Sequence, residues 1–100
     1  MPSSARADDG AIIVEGLVTD SITDTALPGA IVTLHRSAEE SVPIAFCQTD
    51  DRGMFSLSLS GDQEAKVCRV RLLGYKAQTI AIDSSDPLTH LVVRLARSSE

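Results

Sequence analysis

Two histidines, two cysteines, a tyrosine and a pair of aspartates are the side chains in this 100-residue sequence whose chemistry has to be decided first. His35 and His90 are the candidate general bases, and a base needs a nucleophile or a carboxylate beside it to act. Each alternates with a leucine (Leu34, Leu91), which predicts that both face solvent from a strand. Cys47 and Cys68 sit in the apolar stretches Ile44-Ala-Phe-Cys47 and Val67-Cys-Arg-Val70. They read as reduced core residues, because an unpaired cysteine packs as a small hydrophobe; a disulfide or a reactive thiol is the alternative. Two thiols alone are too few to hold a metal. Asp50-Asp51 beside Gly53 offers oxygens to calcium, but the alternating ligands and distal glutamate of a calcium loop are missing, and a tight turn accounts for these residues. Asp8-Asp9, Glu39-Glu40, Asp83 and Asp86 fall between apolar segments and read as solvated charge. Arg69, Arg71 and Lys76 form a basic stripe that keeps an outer sheet face soluble; docking of an acidic partner is the alternative. No catalytic residue, metal ligand or cofactor is assigned.

The elements that must position these side chains are strands. No stretch from 11 to 97 sustains a 3.6-residue apolar repeat, whereas short β-branched segments recur between turn residues. Strands are predicted at 12–19, 30–36, 44–49, 54–60, 66–73, 76–83 and 88–95. Gly16 interrupts the first, where a bulge or a close backbone approach is expected. Pro28-Gly29 suits the centre of a type II turn, and Asp50-Asp-Arg-Gly53 reads as a tight hairpin. Met54–Ser60 alternates most cleanly, with Phe55, Leu57 and Leu59 on one face and serines on the other, so one face is buried and one is wet. Turns are expected at 61–64 and 84–87. The expected core is Val18, Val32, Leu34, Phe46, Phe55, Leu57, Leu59, Val70, Leu72, Ile80, Ile82, Leu91, Val93 and Leu95. About seven short strands with regular turns predict an all-β antiparallel sandwich. Residues 1–10 lack the apolar core of a signal peptide and read as a flexible leader, residues 11–97 as one domain, and the end of the chain (Arg97, with 98–100) as a tail.

Composition excludes several functions. A chain of this length supports a single core. A net charge of −5 argues against nucleic acid, which needs clustered Lys and Arg. Three aromatics (Phe46, Phe55, Tyr75) and no Trp leave little for stacking on a sugar ring. No apolar run approaches the ~20 residues of a membrane-spanning helix.

The punctuation is more specific. Gly16-Leu-Val18, Asp20, Leu27-Pro-Gly-Ala30, Val32, Leu34, Thr49-Asp50, Gly53, Phe55-Ser-Leu57 and Gly74-Tyr-Lys76 follow one another in order. The pattern resembles the carboxypeptidase regulatory-like domain, a small prealbumin-like (transthyretin-like) Greek-key sandwich, over about residues 12 to 95. Its structural motif falls on Gly16, Pro28, Gly29, Asp50, Gly53, Phe55, Gly74 and Tyr75. Two positions depart from the family: Arg52 stands where Asp is common, and Asp24 where Gly often helps the first turn, a change Asp tolerates because it adopts left-handed backbone readily.

The resemblance implies a non-catalytic accessory module. Such domains are appended to metallocarboxypeptidases and, in Bacteroidetes-type bacteria, to TonB-dependent outer-membrane receptors and surface proteins. Its partner would then be the rest of a parent protein or another cell-envelope protein, with no nucleic acid and no membrane span of its own. A free-standing ligand-binding, glycan-binding or adhesion domain is the alternative. Enzymes on related sandwiches match poorly. Transthyretin-like hydroxyisourate hydrolases resemble this chain in topology but end in Tyr-Arg-Gly-Ser, whereas this chain ends Arg94-Leu-Ala-Arg-Ser-Ser-Glu100. Intradiol dioxygenases hold iron with two tyrosines and two histidines, and Tyr75 stands alone here. The His-x-x-Glu of a zinc carboxypeptidase is absent, since Ala38 and Val93 occupy the fourth positions.

Overall fold

Alternation and β-branching produce seven strands in the computed structural model, which describes residues 12–59, 64–82 and 88–98. They are β1 (Ile12–Asp20), β2 (Ile31–His35), β3 (Ala45–Gln48), β4 (Met54–Leu59), β5 (Val67–Arg71), β6 (Gln78–Ala81) and β7 (Leu88–Leu95). The leader 1–10, the bulk of the 61–64 turn, the 84–87 turn and residues 99–100 lie outside the described residues, as do Asp83 and Asp86. There are no helices among the described residues, and so none long and apolar enough to cross a membrane.

The strands form two sheets, ordered β4-β1-β7 and β3-β2-β5-β6. The protein is an all-β sandwich, as the alternation requires. One pairing departs from the expected antiparallel rule: β1 runs parallel to β7, with Gly16 opposite Leu91 and Asp20 opposite Leu95. The expected hairpin at 50–53 is also corrected. β3 pairs with β2 and β4 with β1, so this tight turn carries the chain from one sheet to the other.

The core lies between the inner faces. Val14, Val18, Val32, Leu34, Phe55, Leu57, Leu59, Val70, Val93 and Leu95 are buried, and Leu72, Ile80, Ile82 and Leu91 pack against them from the margins. Leu27, Ala30 and Ala65 join the core from the connections. Phe46 does not belong to it and is 71% exposed. Register gives the reason: inward-facing Val32 pairs with Cys47, so Cys47 turns in and Phe46 turns out.

Cys47 and Cys68 are unpaired thiols on strands that flank β2 on opposite sides. Strands two spacings apart are roughly 10 Å from each other, beyond the ~7 Å Cα separation a disulfide spans. Burial pushes the Cys68 thiol up to about 12 and raises that of half-buried Cys47 as well. Both are held protonated at neutral pH, as small core residues would be.

Candidate functional site

The motif residues converge on one end of the sandwich, where β1, β3, β5 and β7 finish and β2, β4 and β6 begin. Thr49 builds the first part. Its buried hydroxyl donates to the Leu27 carbonyl at 2.6 Å and accepts from the Ala30 amide at 2.9 Å. The Thr49 backbone bonds Gly29 and Ala30 at the same time. This staples the Pro28-Gly29 turn, whose glycine takes φ +77° as the second central position of a type II turn demands. The role of the Thr49 side chain was not read from the sequence, although its place beside Asp50 in the ordered pattern marked it.

Asp50 builds the second part. Its Oδ1 accepts the amides of Arg52 and Met54, each at 2.9 Å, and the Gly53 amide bonds the Asp50 carbonyl. The amides of Met54 and Arg52 hold its carboxyl below the usual carboxylate range. The pair Asp50-Asp51 is thus engaged in a turn. Gly53 has φ +76°, and a Cβ there would sit 2.6 Å from the Val18 carbonyl oxygen.

Asp20 builds the third. It is 1% exposed at the end of β1. Its Oδ1 accepts the amides of Ile22 (2.8 Å) and Thr23 (3.0 Å), and its Oδ2 accepts Tyr75 OH (2.8 Å) and Arg97 Nε (3.1 Å). The Thr23 and Ile22 amides, followed by the Tyr75 hydroxyl, hold the carboxyl far below its ordinary value. The bond to Asp20 raises the Arg97 guanidinium in turn. The same latch corrects the reading of Arg97 and Ser98 as tail: Arg97 bridges to Tyr75, and the Ser98 amide bonds the Gly74 carbonyl. Asp24, within the turn that Asp20 caps, adopts φ +64°, the left-handed conformation expected at the departure from glycine.

The candidate bases do not join these groups. His35 is corrected from exposed to buried, at 3% exposure. It points away from the core as alternation requires, but the 36–44 connection returns across that face, where Arg69 donates to the Ala38 carbonyl. Its Nε2 lies 2.9 Å from Thr33 Oγ1. His90 is exposed as expected, and the parallel β1–β7 register sets its Nδ1 3.4 Å from Glu15 Oε2. The two histidines lie on different sheets. Among the described residues no three of His, Cys, Asp and Glu come together as a metal centre would need.

Among the described residues the surface carries a shallow depression of about 380 Å³ over Asp50, Asp51 and Arg52, and others besides. An open groove of about 560 Å³ runs between the Pro28-Gly29 and Leu73-Gly74 turns, lined by Ile31, Arg71 and the wholly exposed Leu73. A Cβ at Gly29 or Gly74 would meet nothing within 4 Å, so these glycines serve their positive φ. Another depression, of about 270 Å³, passes Glu15, His90, Met54 and Cys47, whose thiol burial pushes up. Gly16 is different: a Cβ there would strike the Leu91 carbonyl and lie 2.8 Å from the Phe55 ring. The expected close backbone approach is present, and Phe55 fills the space above it.

No protein-family model and no curated protein matches this chain. Solved structures do. The Bacillus anthracis TIE protein superposes with a TM-score of 0.68 at 17% identity, over 87% of this chain and 17% of that one. The 3-chlorocatechol 1,2-dioxygenase of Rhodococcus opacus gives 0.64 at 12%, over 89% and 61%. The group B streptococcus pilus 2b backbone protein gives 0.58 at 16%, over 91% and 42%. The chain shares their β-sandwich fold. It spans less than two thirds of each of these proteins, one of them an enzyme, so activity does not travel with the likeness.

Proposed function

We propose that this chain is a non-catalytic interaction module of a larger cell-envelope protein, of the carboxypeptidase regulatory-like type, carried by an outer-membrane receptor or a surface protein. One observation carries the reading. The carboxylates and the tyrosine of the motif are committed to holding turns and chain ends, while large apolar side chains stand exposed on the outer sheet faces. The four acceptor positions of the Asp20 carboxylate are filled and the Tyr75 proton is given to it, so these groups are engaged in structure, whereas exposed apolar rows are contact surface. The likeness to a pilus backbone protein supports a place at the cell surface, and the net charge of −5 favours protein contact over nucleic acid.

Fractionation of the producing cells tests the proposal. An antibody raised against the sandwich should detect, in the envelope fraction, a product well above the 10.6 kDa of this chain. A 10.6 kDa product in the soluble cytosolic fraction would contradict it and move the reading to a free-standing ligand-binding domain.

A further inference from the structure

Among the described residues four strands lie at sheet edges, and β7 is the longest, at 8 residues against 4, 6 and 4 for β3, β4 and β6. From Leu88 to Val92 it carries no Pro, no Lys and no bulge in its register with β1, and the protection present, a charge and a covering connection, is confined to Arg94 and Ala96. Its backbone groups alternate in direction. Leu95 bonds Ser21 on the β1 side, whereas the carbonyls of Arg94 and Ala96 turn the other way, to Gln78 and Lys76. By the same alternation Leu88, His90 and Val92 aim N–H and C=O outward, and among the described residues no strand pairs there.

The side chains of those three residues stand on the outer face, where Leu88 and Val92 remain 56% and 62% exposed. β1 displays what they accept: Ile13 lies opposite Leu88, Glu15 opposite His90 and Leu17 opposite Val92. The open edge presents the same three residues a second time. We propose that the β7 edge captures an extended segment of a partner protein, patterned apolar–x–acidic–x–apolar, as a fourth strand of this sheet. The acidic position follows from charge. β7 carries Arg94 and no carboxylate, so a second β7 offers the His90 imidazole no acceptor, whereas a partner carboxylate meets the imidazole on the side away from Glu15. The proposal needs the interaction-module reading only for the existence of a partner; the edge itself is tested separately from the cell fractionation.

The test titrates the ¹⁵N-labelled chain with a synthetic peptide copying Ile12–Asp20, and with the same peptide carrying Glu15→Lys, while amide shifts are followed. The expected result is saturable movement of the His90 and Val92 amides with β1 still paired, and binding about tenfold weaker for the Lys peptide, the scale of reversing one cross-strand charge pair. Val92→Lys in the chain should weaken capture by a similar factor of about ten without moving the melting temperature, because a surface change at an exposed position leaves stability nearly unchanged. Absence of saturable shifts on β7, shifts confined to the groove beside Gly29 and Gly74, self-association of the chain through β7, or equal binding by the Lys peptide or the Val92→Lys chain would each overturn the proposal.

Discussion

Phe55→Ala lowers the unfolding free energy by about 3–5 kcal/mol, the range for removing a large aromatic ring from a packed core. Phe55 is 5% exposed, on the inner face of β4 directly opposite Gly16 in the register with β1. The ring has no neighbouring side chain at Gly16 to collapse into its place, so the cavity persists. Small domains hold about 5–15 kcal/mol in all, and the variant should be near its unfolding limit at room temperature. Urea denaturation measures the change; a loss below about 1 kcal/mol, less than a core methyl group or two, would contradict the packing described.

Gly16→Ala is the complementary experiment, with an expected cost of about 3 kcal/mol, the upper end for adding volume to a full core. The new methyl meets the Leu91 carbonyl on one side and the Phe55 ring at 2.8 Å on the other. β1 is paired on both edges and has little freedom to retreat. Adding Phe55→Leu to the glycine variant should return part of the loss, since it relieves the ring and leaves the carbonyl. The two sites are in contact and so are expected to be non-additive, by about 0.5–3 kcal/mol. Strict additivity in the double-mutant cycle, or a neutral Gly16→Ala, would show that the close approach does not constrain this strand.

The strands are most legible where a buried face alternates with a wet one, as Met54–Leu59 does without interruption. The turns were legible through residues with restricted conformational choices, and Gly29 and Gly53 have the positive φ their positions demanded. Phe46 shows where the reasoning ends. In the four residues Ala45-Phe-Cys-Gln48 neither phase is plainly apolar, so the choice falls to the partner strand, and Val32 opposite Cys47 turns Phe46 outward. His35 shows a second limit. Alternation gives the direction of a side chain but not what a later connection lays over it. The parallel β1–β7 pairing is a third, since it joins segments from opposite ends of the chain and brings Glu15 to His90 across 75 residues.

The candidate site was legible as a list and not as an arrangement. Asp20, Thr49, Asp50, Gly74 and Tyr75 were all marked by their order, but the partners of Asp20 lie 55 and 77 residues away in Tyr75 and Arg97. A hydrogen bond at that distance leaves no periodic trace in one sequence. Arg97 is invisible to sequence reasoning for this reason, and the chain end holding it reads as a tail until Asp20 and Tyr75 are placed beside it.

Asp20, Tyr75 and Arg97 latch the chain end to the turn after β1, and the pH dependence of stability tests this directly. Because folding depresses the Asp20 carboxyl, the charge stabilises the native state fully above its unfolded pKa of about 3.9 and progressively less as pH falls below it. Asp20→Asn keeps an acceptor oxygen and loses the charge on Arg97 and the capping amides. Unfolding free energies of both proteins, measured by urea from pH 7 toward pH 2, should differ most near neutrality and converge as the medium turns acid. Asp50 is depressed in both proteins and cancels from the difference. A difference that stays constant down to pH 2, or none at pH 7, would contradict the latch.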